Sequence, residues 1–368
     1  MKITAPLAEF SKAFSVITMA VAKRSPSEIL KNTKLATLHG GVYMEAKGPV
    51  ASIRTRVCDA TVTPEEDGEF LIPAERMEAV LKGAVGETIS LEPHDCSIHV
   101  QCGKSKFNLQ TSDVKLYPVL DLSMPSWSVD VENKLLSTAF KRTVMASDPT
   151  SSRYALGGVY LELEKQLLCA VATDGRMMAA HKAQVDGNHD LRTVNVPKDA
   201  ATICARRLGD TDNKAVIALT DDALFIRAGG TVIKTSALEG RFPKWRDVLP
   251  NKKDMFVATT TAAAIHSAVV QASAVSSEET TGIHFCFKEN LLILKASTSE
   301  IGSSEVELVV ESSGEPQEIQ INYRLVLSFL KTLQAEDVVD IHYKDSESAV
   351  LFGTRDGSCC VIMPLAKD

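Results

Sequence analysis

An aspartate at the end of an apolar run is the residue of this sequence whose position best suits chemistry. The stretch AVATDGRMMAAHK, residues 170–182, puts Asp174 after that run and before an arginine and two methionines. Such a carboxylate can bind Mg²⁺ and serve phosphoryl transfer. It can equally be the polar end of a hairpin whose Met177 and Met178 belong to an apolar groove. Magnesium chemistry needs further acidic ligands, and Ala172 stands where a second aspartate is expected. The hairpin is therefore favoured.

Other stretches that resemble catalytic motifs are incomplete. AGGTVIKTS is loosely similar to a phosphate-binding loop but lacks a glycine directly before Lys234, and it predicts strand, turn and strand. His189 lies between two aspartates in DGNHD, which is typical of a surface turn. The eight histidines are scattered and the eight cysteines form no C-x-x-C pair. The sequence thus predicts neither a metal site nor a cofactor.

Cysteine usage and hydropathy bear on the compartment. Cys169 and Cys286 lie in apolar runs, where a thiol acts as a small core residue, so we expect a reduced, cytoplasmic protein. A short apolar stretch near the N-terminus resembles a secretion signal, but Lys23 and Arg24 follow it and its apolar residues recur at helical spacing. No run reaches the length of a transmembrane helix, so no membrane association is expected.

Three landmarks recur along the chain at one spacing. A proline before a helical pattern occurs at Pro73 and Pro197, and Tyr323 takes the same place in a third copy. The pair Tyr-Pro that ends at Pro118 recurs as Phe-Pro ending at Pro243. Each step is roughly 125 residues, which indicates three repeats of one unit. The predicted domains are 1–124, 125–251 and 252–368.

Each repeat predicts a strand, a helix, several strands, a second helix and more strands. Apolar residues at helical spacing mark the buried stripes of three of these helices: Leu136, Ala139, Phe140, Thr143 and Val144; Ile265, Ala268, Val269 and Ala272; and Val326, Phe329, Leu330 and Leu333. Residues 159–164 alternate, and EKQ at 164–166 and KEN at 288–290 predict tight turns into the following strands. Short turns between strands favour an α+β fold, with helices packed on one face of antiparallel sheets.

Positive charge is concentrated on the predicted helices, although the chain has a net charge of -7. The cations are Lys134, Lys141 and Arg142; Lys198, Arg206 and Arg207; Arg324 and Lys331; and, in a loop, Lys23 and Arg24. Each alone is an ordinary solvated side chain, but together they predict a basic face that can bind a polyanion. No motif that reads base edges is present and aromatic content is 5%. Any nucleic acid is therefore expected to be a duplex, contacted at its phosphates without sequence preference.

Four stretches resemble, in order and spacing, the bacterial β sliding clamp family. They are SSRYALGGVYLE, AVATDGRMMA, LEGRFPKWRDVLP and the terminal VIMPL, and the similarity covers essentially the whole chain. The resemblance implies a non-catalytic processivity factor, in which two chains of three clamp domains close head to tail into a ring around duplex DNA. It also implies partners that insert short peptides: the DNA polymerase III alpha subunit, the clamp loader, repair polymerases and other proteins with clamp-binding motifs.

The resemblance assigns residues to three sites. It implies a peptide pocket formed by Leu156, Thr173, Gly175, Arg176, Met177, Met178, Pro243, Val248, Ile362, Met363, Pro364 and Leu365. It adds Arg153 to the cations that face DNA, and it implies a homodimer contact through Phe107, Leu109, Ala274 and Val275. The chain departs from the family where Arg176-Met177-Met178 replaces His-Arg-Leu and where Ala366 replaces a basic residue. A repeat protein that binds peptides but no DNA remains the third alternative, beside the clamp and the Asp174 enzyme.

Overall fold

The computed structural model describes residues 2–22, 25–38, 40–63, 67–150, 156–209, 213–312 and 314–366. Each α-helix in these ranges directly follows a strand. The helices are α1 Leu7–Thr18, α2 Ala74–Lys82, α3 Asn133–Thr143, α4 Lys198–Gly209, α5 Ala262–Ala272 and α6 Tyr323–Leu330. Local caps help to set where two of them begin. The Thr261 hydroxyl accepts a hydrogen bond from the Ala264 amide at the start of α5, and Asn322 accepts one from the Arg324 amide at the start of α6.

Strands make up most of the rest of the described chain. In chain order they are β1 Lys2–Pro6, β2 Asn32–Leu38, β3 Gly41–Lys47, β4 Ala51–Val57, β5 Thr61–Thr63, β6 Gly68–Pro73, β7 Thr88–His94, β8 Ser97–Cys102, β9 Ser105–Gln110, β10 Val129–Glu132, β11 Gly158–Thr173, β12 Met177–Pro197, β13 Lys214–Leu219, β14 Ala223–Ala228, β15 Thr231–Ser236, β16 Phe256–Thr261, β17 Gly282–Lys288, β18 Leu291–Thr298, β19 Gly302–Val309, β20 Glu311–Ser312, β21 Gln317–Asn322, β22 Val338–Tyr343, β23 Val350–Thr354 and β24 Ser358–Ile362.

The first compact unit consists of residues 1–134 and 206–237. It contains a five-stranded sheet, β5-β1-β7-β8-β9, and an eight-stranded sheet, β10-β13-β14-β15-β4-β3-β2-β6, both antiparallel. The segment after β9 covers one face of the larger sheet: the Tyr117 hydroxyl accepts a hydrogen bond from the Lys47 amide and donates one to the Asn32 carbonyl. Apolar side chains around Leu71 and Tyr117 form the core under this segment.

The second compact unit consists of residues 135–205 and 238–368. Its seven-stranded sheet runs β11-β12-β24-β23-β22-β16-β20 and its four-stranded sheet runs β19-β18-β17-β21, again with antiparallel neighbours. Helix α5 packs on β18 and β19, and α6 packs on β21 and β24. Phe140, Phe285 and Phe329 are fully buried in this unit. Burial of one such side chain stabilises a fold by about 1.5–3 kcal/mol.

The α+β architecture with antiparallel sheets confirms the predicted fold class. The α5 stripe and most of the α3 stripe are buried as predicted, whereas Val144 and Leu333 are half-buried. AGGTVIKTS forms strand, turn and strand as predicted, within β14 and β15. The second predicted domain is divided between the two compact units, and the boundaries of the three domains stay a prediction.

The predicted turn at EKQ is wrong, whereas the turn at KEN is confirmed between β17 and β18. Strand β11 continues through residues 164–166 and pairs with β12 on both sides of them. The backbone of Lys165 adopts a left-handed conformation with φ of 55°, and the pairing register shifts around it. A bulge in the partner strand thus absorbs the irregularity that the sequence suggested was a reversal.

We expect Gly357→Ala to destabilise the second unit by about 2–4 kcal/mol. Gly357 has φ of +87°, and a Cβ there would lie 2.4 Å from the Lys182 carbonyl oxygen. Gly175→Ala is the matched control, because Gly175 has φ of +85° with no heavy atom within 4 Å of the added Cβ. It should cost only the left-handed strain, about 1–2 kcal/mol. Urea unfolding of both variants measures the difference, and equal losses would contradict the close approach of residues 182 and 357.

Candidate functional site

The turn between β11 and β12 uses the Asp174 carboxylate to hold its own backbone. Asp174 Oδ1 accepts hydrogen bonds from the amides of Arg176 and Met177, at 2.8 and 2.7 Å. The Thr173 hydroxyl donates to the Met177 carbonyl at 2.7 Å, and Gly175 takes the left-handed conformation that the turn requires. Asp174 therefore acts as a turn cap. Within the described residues no group of three or more His, Cys, Asp or Glu side chains is arranged to bind a metal ion.

A single apolar cluster in the second unit gathers side chains from several predicted pocket stretches. It contains Leu156, Cys169, Val171, Met178, Ala180, Phe242, Trp245, Leu351 and Val361, with Tyr160, Leu167 and Leu249 packed against it. Strands β11, β12, β23 and β24 supply one side of it, and the segment 238–250 covers the other. Burial raises the pKa of the Cys169 thiol to about 11, so this cysteine is a protonated core residue, as its apolar run predicted.

The segment 238–250 is anchored to the sheet by a stacked aromatic pair and an ion pair. Phe242 stacks on Tyr160 with ring centroids 4.8 Å apart. The Arg246 guanidinium lies 4.3 Å over the Trp245 ring and donates to both carboxylate oxygens of Glu162. Glu162 belongs to the alternating residues 159–164, and it is only 7% exposed because this arginine covers it. A groove of about 510 Å³ runs along the segment.

Two residues that are close in sequence to members of this cluster have exposed apolar side chains. Val248 is 48% exposed and Met363 is 46% exposed. The Met363 amide donates to the Arg176 carbonyl at 3.0 Å, which ties the C-terminal segment to the β11–β12 turn. Pro243, Pro364 and Leu365 are half-buried, whereas Gly175 and Arg176 are exposed. Leu365 is anchored by its amide, which donates to the Gln320 carbonyl at 2.8 Å.

Met177 and Ile362 lie on the opposite face of the sheet from the cluster, contrary to the pocket predicted from the resemblance. They are cross-strand partners, one residue removed from the pair Met178 and Val361, so their side chains point the other way. Met177 Sδ lies 3.9 Å from the Ser328 hydroxyl of α6. Both residues are buried, with exposures of 3% and 0%. They are core residues beneath the strands and do not line the apolar cluster.

Of the residues in this cluster, the predicted pocket contained only Leu156 and Met178, and those it missed include Tyr160, Phe242, Trp245 and Val361. Val361 could have been predicted from the sequence. Residues two positions apart in a strand lie on the same face, and Met363 is in the predicted pocket. Phe242 and Trp245 flank the selected Pro243 in a segment without regular periodicity. Sequence pattern therefore gave no indication of which of its side chains turn inward.

The cations predicted to face DNA differ in how their side chains are used. Lys134, Lys141, Arg206, Arg324 and Lys331 are exposed. Lys198 is half-buried, and its ammonium lies 3.4 Å from the Ser147 carbonyl oxygen, while Arg207 donates to the Thr231 hydroxyl at 2.9 Å. Lys23, Arg24 and Arg153 lie outside the described residues.

Arg142 is buried, which contradicts the prediction that it faces DNA. Its side chain is 7% exposed, and one guanidinium nitrogen lies 2.8 Å from an Asp337 carboxylate oxygen and 3.0 Å from one of Asp356. The other terminal nitrogen donates to the Thr332 carbonyl. Burial opposes ionisation of Asp356, but hydrogen bonds from Thr354 and Ser358 and the charge of Arg142 lower its pKa to about 2. The arginine is thus neutralised inside the unit and presents no charge to a polyanion.

Two sheets end in strands that have a partner on one side only within the described chain. Strand β9 ends the five-stranded sheet of the first unit, with Phe107 38% exposed and Leu109 half-buried. Strand β19 ends the four-stranded sheet of the second unit. The turn after α5 carries Ala274, which is exposed, and Val275, whose carbonyl accepts from the Thr298 hydroxyl at 2.9 Å.

None of the described helices combines the length and the apolar composition that crossing a membrane requires.

Models of three consecutive protein-family domains match the chain almost end to end. The DNA polymerase III beta subunit N-terminal domain matches residues 1–121, its central domain residues 130–244 and its C-terminal domain residues 246–366. The beta sliding clamp of Escherichia coli K12 is 27% identical over 372 residues, covering 99% of this chain and all of that protein. The Haemophilus influenzae beta sliding clamp is 28% identical over 308 residues, covering 82% of each chain.

Solved structures of such proteins share the fold. The DNA polymerase III subunit beta of Pseudomonas aeruginosa superposes with a TM-score of 0.91 at 24% identity, and covers 100% of both chains. The DNA polymerase sliding clamp of Bacillus subtilis gives a TM-score of 0.91 at 21% identity, with the same coverage.

Proposed function

The chain belongs to the DNA polymerase III beta subunit family, the bacterial β sliding clamps, and on this premise we propose that two copies encircle duplex DNA and bind partner peptides in the apolar pocket. As a member of that family it is a non-catalytic processivity factor of DNA polymerase III. The proposed partners are the polymerase alpha subunit, the clamp loader, repair polymerases and other proteins with clamp-binding motifs.

The apolar cluster with exposed hydrophobic residues nearby is the observation that carries the peptide-binding proposal. Val248 and Met363 leave about half of their apolar side chains in water although the buried core lies close to them in the chain. Covering them with an apolar side chain of a partner removes that surface from water, which favours binding by roughly 25 cal/mol per Å². The flexible thioether of Met363 can repack around different partners, which suits a site shared by several proteins.

Exposed helix cations in an acidic chain support the proposal that DNA is encircled. Lys134, Lys141, Arg206, Arg324 and Lys331 are exposed, whereas the net charge of the chain is -7. The attraction to phosphates is therefore local and weak, and it is screened over about 8 Å at physiological salt. Weak contacts of this kind allow movement along the duplex while a closed ring prevents escape.

The two sheet edges support closure by a second copy. Lys106 and Phe107 are exposed on β9, and Glu305 and Glu307 are exposed on β19. An edge strand exposes unpaired amides and carbonyls, which pairing with another chain satisfies. The edge of β9 and the edge of β19 differ in charge sign, so a head-to-tail contact between two copies brings opposite charges together.

We expect Met363→Ala to weaken binding of a clamp-binding peptide about tenfold, because a partly exposed apolar anchor is removed. Titration of a fluorescein-labelled peptide from a polymerase III alpha subunit, followed by anisotropy, measures this. Val85→Ala is the control, since Val85 is 83% exposed in a loop of the first unit and should not affect affinity. Equal affinities of Met363→Ala and the unsubstituted protein would contradict the pocket.

We expect a dimer of 39.8 kDa chains by light scattering at micromolar concentration, and a monomer for Phe107→Asp. The substitution places a desolvated carboxylate against an apolar edge contact. Val119→Asp tests whether any new charge on an exposed apolar residue has this effect, because Val119 is 88% exposed outside the strands. A monomeric unsubstituted chain would contradict ring closure.

We expect the protein, loaded on nicked circular plasmid by a clamp loader with ATP, to stay bound through gel filtration and to leave when the circle is cut. Release on linearisation follows from topological linkage, since contacts to phosphates are the same on both forms. Retention on linear DNA would indicate ordinary electrostatic binding. No retention on either form, together with intact peptide binding, would favour the peptide-binding repeat protein.

A further inference from the structure

We propose that Arg142 is a positioning residue for the peptide pocket: it fixes the β23–β24 turn against α3 and so sets the position of β24. This inference rests on the proposed peptide-binding function. It concerns how the pocket is held in place. The basic helix predicted that this arginine faces DNA, whereas the proposal gives it a structural role.

Three structural elements meet at the Arg142 guanidinium. Arg142 is on α3, Asp337 and Thr332 are in the connection from α6 to β22, and Asp356 is in the turn between β23 and β24. The two carboxylates are 28% and 38% exposed, whereas the arginine side chain is 7% exposed. The cation is therefore the innermost group of the cluster, and its planar fork can bind all three acceptors at once.

Asp356 connects Arg142 to the strands that carry the pocket. Its Oδ1 accepts from the Thr354 hydroxyl at 2.5 Å and from the Ser358 amide at 3.0 Å, while Oδ2 faces Arg142. Ser358 begins β24, and its hydroxyl lies 2.8 Å from Nδ1 of His181 on β12. One end of the β12–β24 pair is thus linked to α3 through a continuous set of polar contacts.

The pocket residues follow along the same strand pair. Val361 pairs with Met178 three positions from Ser358 and His181, a distance of about 10 Å along a strand. Both Val361 and Met178 belong to the apolar cluster. At the far end, Met363 is tied to Arg176 by a main-chain hydrogen bond. A shift of the β23–β24 turn therefore moves the floor of the pocket relative to its exposed end.

The hydrogen bonds within each loop do not require Arg142. Asp337 also accepts from the Gln334 amide at 2.9 Å, and Asp356 keeps its contacts to Thr354 and Ser358. Loss of the guanidinium leaves both loops capped but places two carboxylates near each other without a cation between them. The expected effect is that the β23–β24 turn shifts relative to α3. The pocket residues on β24 then shift with the turn, which changes peptide binding.

Two adjacent residues allow a reciprocal test. Arg142→Met should weaken binding of the labelled polymerase peptide about tenfold, as expected for a residue that acts through a packed network. Lys141→Met should leave that affinity unchanged, because Lys141 is exposed on the neighbouring position. For unloaded protein, the affinity for a short labelled linear duplex at low salt should fall for Lys141→Met and stay the same for Arg142→Met. The reverse pattern would identify Arg142 as a DNA contact and overturn the proposal.

A second variant separates positioning from a general loss of folding. Asp337→Asn combined with Asp356→Asn should weaken the peptide by a similar factor with the helix intact, while changing the net charge in the opposite direction from Arg142→Met. Arg142→Lys should restore part of the affinity, since an ammonium can reach one of the acceptors. Equal peptide affinity of the unsubstituted protein and both network variants refutes the positioning role. No peptide binding by the unsubstituted protein refutes the proposed function instead.

Discussion

Two strand pairings between consecutive repeats are the interactions on which the rest of the structure depends. Strand β15 of the second repeat pairs with β4 of the first, and β12 of the second pairs with β24 of the third. Main-chain hydrogen bonds along these ladders make one continuous sheet out of strands from two repeats in each unit. A strand register is fixed by the alternation of buried and exposed side chains, so each ladder also fixes which residues face the covering segment. The apolar cluster exists because β12 and β24 present Met178 and Val361 to the same side.

The repeated elements were predictable because local patterns in the sequence indicate them. A helix stripe such as Ile265, Ala268, Val269 and Ala272 needs only the 3.6-residue period to be recognised, and the structure buries all four residues. The pairing between repeats was not predictable in this way, since it joins residues far apart in the chain. The continuous course of β11 through Lys165 depends on β12 pairing with it on both sides of the bulge. The residues EKQ taken alone are typical of a turn.

Charged residues illustrate the same limit at the level of side chains. Arg142 and Lys141 are adjacent on one basic helix, yet one is buried between two aspartates and the other is exposed. Glu162 lies in an alternating strand, and Arg246 from a distant segment covers it. In both cases the ionic partner is more than 80 positions away. Helical or strand periodicity can select a face, but it cannot tell which charges are neutralised by a distant carboxylate or guanidinium.

This distinction affects how the basic helices should be interpreted. A cation held in a buried pair has already lost its hydration, and the opposite charges of its partners cancel its own. It therefore adds little to the electrostatic field outside the protein. The attraction to a duplex then depends on the residues that remain exposed, such as Lys141, Arg206 and Lys331. Each phosphate contact adds close to one unit to the salt dependence of binding, so a small number of exposed cations implies weak binding that salt readily reduces. For the ring that we propose, this weakness is suitable, because linkage rather than affinity would keep the protein on the duplex. The role that we propose for the buried arginine concerns the other requirement, a rigid pocket, so that neighbouring positions of one helix would serve the two tasks.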